Sequence, residues 1–107
     1  MSTMIDIIAR RTIDIVDDAG EPVGQAFVHL GRPSQEPTGE WSIPYQIVGL
    51  GDDSVYRLLG LDAIQALQLV HKVIGGILAG TREGEAHRLR WEGASELGFP
   101  VPPQSIP

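Results

Sequence analysis

The stretch from Leu61 to Ala79 constrains the fold most, because it carries the only long helical pattern in the chain. Asp62 is a natural N-cap, Gln65 completes a capping-box-like pair with it, and Gly80 supplies a stop. The stretch therefore predicts a helix from Asp62 to about Ala79. Apolar residues recur in it at intervals of three and four and share one face at about 3.6 residues per turn: Ala63, Leu67, Val70, Ile74, Ile77 and Leu78.

The apolar arc of this helix is broad. Ala66, Leu69 and Val73 widen it to roughly half of the circumference, against the ~100° stripe of an ordinary surface helix. Such a helix needs cover on nearly two sides, which predicts a homodimer or a partner groove, with cover by the C-terminal tail as the alternative. Gly75 and Gly76 each cost about 1 kcal/mol relative to alanine, so we expect a close backbone approach to a strand there.

Length and composition indicate a small globular protein. The 107 residues predict a single domain spanning 1–107, and a hydrophobic content of 42% is typical of chains that bury a core. The chain has no cysteine, which excludes disulfides, thiolate zinc sites and cysteine nucleophiles.

The sequence gives no indication of secretion or membrane insertion. The first sixteen residues carry acids within their apolar run and no small-residue cleavage site, unlike a secretory signal. The uncharged stretch from Val73 to Thr81 is far below the ~20 residues that cross a bilayer. We therefore expect a cytoplasmic protein without membrane contact.

The net charge of −6 lies in the first half of the chain. Through Asp53 there are nine acidic residues against three arginines, whereas the remainder balances five acids with five basic residues. A phosphate backbone requires a basic footprint, so this charge argues against nucleic-acid binding. A basic protein partner is favoured instead, and the alternative is acidity that only keeps the protein soluble.

Period-2 alternation predicts the strands. The first runs from Ile5 to Val16, with a bulge or bend near Arg10 and Arg11 that would move Ile8 to the other face. It forms a hairpin with Val23 to Leu30. The remaining predicted strands are Trp41 to Ile47, Val55 to Leu59 and His87 to Glu92.

Loops and turns are predicted at 17–22, 31–40, 49–54 and 81–85. Pro44 cannot donate to a ladder, which predicts an open edge or a bulge at that point of its strand. Residues 98–107 are predicted to form an irregular proline-rich tail, docked through Phe99 and Val101. Together these patterns predict an α+β fold, a mostly antiparallel sheet of four to five strands with one long helix packed across one face.

The three histidines have no metal-ligand spacing, and no cofactor motif is present. His71 is expected at the boundary of the apolar helix face, and His29 and His87 at the surface. The serines lie outside any nucleophile motif. The sequence therefore provides no catalytic constellation and predicts neither a metal nor a cofactor.

Trp41 and Tyr45 share one face of their predicted strand and could line a pocket beneath the helix, although aromatic residues so placed more often fill a core. His71 and Gln68 would supply further polar groups to that pocket. The acidic turns offer a different surface, formed by Asp17, Asp18, Asp52 and Asp53. The candidate binding residues are Trp41, Tyr45, Gln68, His71, Asp52 and Asp53.

Two segments, Trp41–Ile47 and Gly60–Leu69, resemble a family of small bacterial proteins of unknown function. In that family a Trp-x-Cys-x-Tyr-x-Ile strand precedes a Gly-Val-Asp-x-x-Gln-Ala-Leu-Gln helix start. The resemblance covers residues 38–80 and extends to the ending Leu97–Pro100. Ile43 stands at the cysteine position, which indicates core packing there. It implies an α+β fold and no particular activity.

These observations predict a non-enzymatic, cytoplasmic protein-binding module that acts as a homodimer. One alternative is an immunity or antitoxin-like protein that binds a basic partner through the acidic turns. The other is a small-ligand binder or enzyme with a pocket between the helix and the Trp41 strand.

Overall fold

The computed structural model describes Met4 and residues 6–100, so the predictions for Ile5 and Val101 lie outside the described residues. The order of elements is β1 (Ile7–Val16), β2 (Pro22–Gly31), β3 (Ser34–Gln35), β4 (Trp41–Val48), β5 (Val55–Gly60), α1 (Ala63–Gly80), α2 (Arg82–Glu85) and β6 (Leu89–Arg90). One long helix packs on an antiparallel sheet, which confirms the predicted α+β class.

Within Met4 and residues 6–100 the sheet contains six strands, more than the four to five predicted, and all are paired antiparallel. β1 pairs with β2, β2 with β4, and β4 with β5, while β6 pairs with the end of β1. Trp41 of β4 pairs with both Gln35 and Gly60, so β3 and β5 lie on opposite sides of β4. The prediction of a loop at 31–40 was wrong, since this segment contains β3. The strand was missed because two residues are too few to show an alternating pattern.

The bulge in β1 lies at Ile8, not at Arg10 and Arg11 as predicted. The register with β2 shifts between Ile7 and Ala9 and is regular from Ala9 to Ile15. Arg11 stays on the same face as Ile13 because aromatic rings from the C-terminal part of the chain cover its side chain. A charged residue on an apolar face therefore did not require a bulge.

Pro44 lies at an interruption of the sheet, which confirms that the ladder is irregular there. On one side of β4, Trp41 and Ser42 pair with β3, and the residues from Tyr45 to Val48 pair with β2. Pro44 falls in the gap between these two ladders. The ring of Pro44 packs so closely on Gly31 that a Cβ at Gly31 would overlap it. The missing N–H of proline is accommodated at this break.

The capping box of α1 is confirmed. Asp62 Oδ1 accepts a hydrogen bond from the Gln65 amide at 2.7 Å, and Gln65 Oε1 accepts one from the Leu61 amide at 2.7 Å. At the other end, Thr81 Oγ1 donates to the Leu78 carbonyl and accepts from the Gly84 amide. Because Thr81 caps a new helical turn, α2 forms where a loop was predicted.

The core lies between α1 and the face of the sheet that it covers, where α1 packs on β4 and β5. With its 18 residues and its apolar composition, α1 is also long and apolar enough to cross a membrane, a property that core helices of soluble proteins share. The buried core residues are Ile13, Ala26, Val28, Leu30, Ile43, Tyr45, Ala66, Val70, Ile74, Leu78 and Leu89.

The C-terminal segment, defined as residues 94–100, covers one flank of α1. Phe99 and Leu97 pack against the core, and the ring of Phe99 lies 6.0 Å from that of His71. A Cβ at Gly75 would overlap the carbonyl oxygen of Pro100. The close approach predicted at this glycine is therefore to the C-terminal segment and not to a strand, because the segment crosses the helix at that point.

The last strand is shorter than predicted. β6 contains only Leu89 and Arg90, whereas the alternation indicated His87 to Glu92. His87 and Glu92 adopt positive φ angles of 57° and 50°, and this left-handed backbone ends the strand at both sides.

Candidate functional site

The β4–β5 hairpin brings two tyrosines together on the helix-covered face of the sheet. Tyr45 and Tyr56 are direct cross-strand partners, and directly opposed residues point to the same face. Their rings stack with centroids 5.9 Å apart and planes at 30°. Tyr45 is buried and Tyr56 is 48% exposed, so the pair extends from the core to the surface.

A cleft of about 410 Å³ opens beside these rings and is called the tyrosine cleft below. Its volume lies within the range of about 300–1,000 Å³ that is usual for small-molecule sites. Ile47, Leu50 and Ile77 form its apolar wall, with Ile77 contributed by α1. The full lining is Tyr45, Ile47, Leu50, Gly51, Asp52, Ser54, Tyr56 and Ile77.

Asp52 is the charged group of the cleft. Its Oδ2 accepts a hydrogen bond from the Tyr56 hydroxyl at 2.8 Å, and its Oδ1 accepts one from the Ser54 amide at 3.0 Å. The next residue, Asp53, adopts a positive φ of 57°, and its Oδ1 accepts from the Gly49 amide at 2.8 Å. The two aspartates therefore fix the turn between the strands, and this turn holds the Asp52 carboxylate in the cleft.

These contacts set the charge state of the site. The Ser54 amide and then the Tyr56 hydroxyl lower the pKa of Asp52, so its carboxylate is ionised at neutral pH. The hydrogen bond to Asp52 raises the pKa of Tyr56, and burial raises that of Tyr45. At neutral pH the cleft thus contains one negative charge, two neutral phenols and an apolar wall.

The predicted site residues divide among three places. Tyr45 and Asp52 meet in the tyrosine cleft, with Asp53 in the same turn. Gln68 and His71 line a separate surface hollow next to Pro100. Trp41 lies at the far end of β4, paired with Gly60, so it does not share a pocket with Tyr45 among the described residues.

Sequence reasoning missed Tyr56 and Ile77. A signal for Tyr56 was available: a β4–β5 hairpin that turns about Leu50 and Gly51 places residue 56 opposite residue 45. Ile77 was assigned to the apolar face of the helix, but its 40% exposure and its place in the cleft wall depend on how α1 crosses the sheet.

All three histidine predictions can be compared with the structure, and His87 is exposed as predicted. His71 is half-buried and its Nδ1 lies at hydrogen-bond distance from the Leu67 carbonyl, which confirms a boundary position. The prediction that His29 is at the surface was wrong, since only 9% of it is exposed. It occupies a central strand, where its Nδ1 lies 3.3 Å from Gln46 Oε1 and its ring stacks on Phe27.

Two further features limit the choice of site. Within Met4 and residues 6–100, no three His, Asp or Glu side chains cluster as metal ligands would. A larger cleft of about 690 Å³ lies between the end of α1 and the C-terminal segment. Its lining includes Pro100, the last described residue of the chain. Arg90, which also lines this cleft, donates a hydrogen bond from Nη1 to the His87 carbonyl, so this donor is already used within the fold.

The acidic turns predicted as a partner surface lie at one end of the sheet, because the start of β2 pairs near the end of β4. Carboxylate oxygens of these turns already accept hydrogen bonds or form ion pairs within the fold. Asp17 Oδ1 accepts from the amides of Ala19 and Glu21, and Asp18 pairs with Arg88. Asp52, in contrast, also lines the tyrosine cleft.

No curated protein and no solved structure matches the chain. A family model does match, and it covers residues 9–101, which include the whole of the tyrosine cleft and the C-terminal segment up to Pro100. The chain therefore belongs to the family described as "Domain of unknown function (DUF6968)".

Proposed function

We propose that this protein is a non-enzymatic protein-binding module that acts as a homodimer through the outer edge of β5. The observation that carries the proposal is the pairing of β5. One side of it pairs with β4, and no strand within the described residues pairs with the other side. An unpaired edge presents N–H and C=O groups that can pair with a strand of another chain.

The edge of β5 lacks the features that usually protect such a strand. Its register with β4 is continuous from Val55 to Gly60, without a bulge. It contains neither proline nor lysine, and its one charged residue, Arg57, pairs with Glu36 at 3.2 Å. The partly open edge of β1 has a bulge at Ile8 and an exposed arginine at position 10, features that oppose edge pairing.

The helix adds apolar surface beside the same edge. His71 packs on Phe99 along the flank that faces the C-terminal segment. Leu69, Val73 and Ile77 follow one another at one-turn intervals on the opposite flank, and Ile77 lines the cleft beside Tyr56 of β5, so this flank is on the side of β5. Leu69 and Val73 are both half-buried. If a second copy pairs antiparallel along β5, the Leu69 and Val73 flanks of the two copies contact each other. This is the isologous interface that a two-fold dimer requires.

The test is sedimentation velocity over a range of protein concentrations. We expect wild-type protein to sediment at twice the chain mass of 11.6 kDa and Leu69→Lys to sediment as a monomer. Ile64→Lys is the matched control, because Ile64 is exposed on the same helix but lies about 140° around it from Leu69.

A wild-type protein that is monomeric throughout the series would refute the homodimer. A dimer that survives Leu69→Lys and dissociates with Ile64→Lys would place the interface on the other flank of α1. Circular dichroism of each variant establishes that the fold is retained, so that a change in mass reports on the interface.

A further inference from the structure

We propose that the tyrosine cleft binds an alkylammonium ion, with the charged nitrogen at Asp52 and Tyr56. The hydrocarbon chain of the ion lies along the apolar wall of the cleft. This inference goes beyond the homodimer proposal and does not depend on it, because the cleft is formed within one chain.

The carboxylate of Asp52 has capacity for such a ligand. An ionised carboxylate offers about four lone-pair positions, and the Ser54 amide and the Tyr56 hydroxyl occupy two of them. Both of those contacts hold the group in one orientation, so an incoming N–H meets an acceptor that is already positioned. The Tyr56 oxygen, which donates its proton to Asp52, can itself accept a second hydrogen bond from the same ammonium group.

The aromatic rings favour a cation over a neutral ligand. A cation within about 6 Å of a tyrosine ring is attracted by its electron-rich face. Tyr56 is 48% exposed and stacked on Tyr45, which leaves part of its ring accessible from the cleft.

The wall of the cleft selects the rest of the ligand. Ile47, Leu50 and Ile77 offer hydrocarbon surface and no hydrogen-bonding side chains. A ligand with several polar groups would leave them unpaired against this wall, which costs free energy. An anionic ligand would be repelled by Asp52. A single ammonium group on an alkyl chain satisfies both parts of the cleft.

Two sources could supply this chemistry: a free amine, or the side chain of a lysine in a partner protein. Binding is measured by calorimetry and by amide chemical shifts with two probes. One is n-butylammonium chloride, and the other is the peptide Nα-acetyl-lysine-methylamide, whose side-chain ammonium group is free. The neutral control is n-butanol, which has the same chain without the charge. A stronger response to the peptide indicates a lysine, and a stronger response to the free amine indicates a metabolite.

We expect n-butylammonium to bind saturably and to shift the amides of Gly51 and Ser54. Asp52→Asn should weaken binding by about tenfold or more, since it removes the charge and preserves the size. Tyr56→Phe should weaken it less. Glu40→Gln, an exposed acid outside the cleft, is the matched control and should leave binding unchanged.

The proposal is overturned if n-butylammonium shows no binding, if n-butanol binds as well as the amine, or if Asp52→Asn binds as well as wild type. Thermal unfolding establishes that each variant is folded. In Asp52→Asn the side-chain oxygen can still accept from the Ser54 amide, so the turn is expected to persist.

Discussion

The guanidinium carbon of Arg11 lies 3.8 Å from the centroid of the Trp91 ring, although eighty residues separate the two along the chain. The same guanidinium lies 4.9 Å from the ring centroid of Phe99 and donates a hydrogen bond from Nη1 to the Leu97 carbonyl at 3.1 Å. One side chain of β1 thus fastens the C-terminal segment to the sheet.

Arg11→Met should therefore destabilise the protein by about 1–3 kcal/mol. It keeps most of the hydrocarbon length but removes the cation–π contacts and the hydrogen bond to Leu97, each worth about 0.5–2 kcal/mol. The free energy of unfolding from urea denaturation measures the effect. Arg10→Met is the control, because Arg10 is exposed and its guanidinium carbon lies 5.7 Å from the ring centroid of Phe27, farther than that of Arg11 from either of its rings. Equal losses for the two variants would contradict the role assigned to Arg11.

Gly75→Ala should displace the C-terminal segment, because the added methyl group would overlap the Pro100 carbonyl. We expect a lower free energy of unfolding even though alanine is the better helix former. Amide hydrogen exchange near Leu97 and Phe99 should accelerate as the segment detaches.

Gly80→Ala provides the matched comparison on the same helix. A Cβ at Gly80 meets nothing within 4 Å, so this substitution should be neutral or should stabilise by up to about 1 kcal/mol. If both alanines stabilised the protein, the packing of the C-terminal segment on α1 would not restrict position 75.

Asp62→Ala tests the start of α1. The substitution removes the acceptor of the Gln65 amide and should cost about 0.5–2 kcal/mol in chemical denaturation. Asp62→Asn, which retains the accepting oxygen, should lose much less. A loss of the same size in both variants would mean that the charge of Asp62, and not its hydrogen bond, stabilises the helix.

The features that could be predicted from the sequence depend on local spacing. The capping box at Asp62 and Gln65, the apolar face of α1 and the alternating strands all follow from residues within a few positions of one another. They were sufficient for the fold class. The proline at position 44 also predicted correctly that the hydrogen-bond ladder is irregular there.

The features that could not be predicted depend on contacts between distant segments. Arg11 was interpreted as an interruption of the apolar face of its strand. Its aromatic partners lie at positions 91 and 99, too far along the chain for local spacing to indicate the contact. The close backbone approach at Gly75 was predicted to be to a strand for the same reason, because its partner is the distant Pro100. Tyr45 and Asp52 were both candidates, but their meeting with Tyr56 required the register of the β4–β5 hairpin, which spacing alone does not determine.

The contact between Tyr56 and Asp52 also predicts how stability varies with pH at both ends of the scale. The pKa of Asp52 is lowered from its ordinary 3.8, chiefly by the Ser54 amide. The ionised form is thus favoured by folding, and its contribution is present above pH 3.8 and lost as the pH falls through the lowered value. The pKa of Tyr56 is raised from 10.0, chiefly by Asp52, so the protonated phenol contributes below pH 10 and its contribution is lost as the pH rises through the raised value.

Carbon-detected NMR of the Asp52 carboxyl and absorbance of the tyrosinate band should show both displaced titrations. Tyr56→Phe removes the hydroxyl donor, so the pKa of Asp52 should rise toward 3.8 but remain below it, because the Ser54 amide still donates. Asp52→Asn should return the pKa of Tyr56 toward 10.0 and leave the burial of Tyr45 unchanged. An Asp52 titration that is identical in wild type and Tyr56→Phe would show that the hydroxyl does not bond the carboxylate in solution.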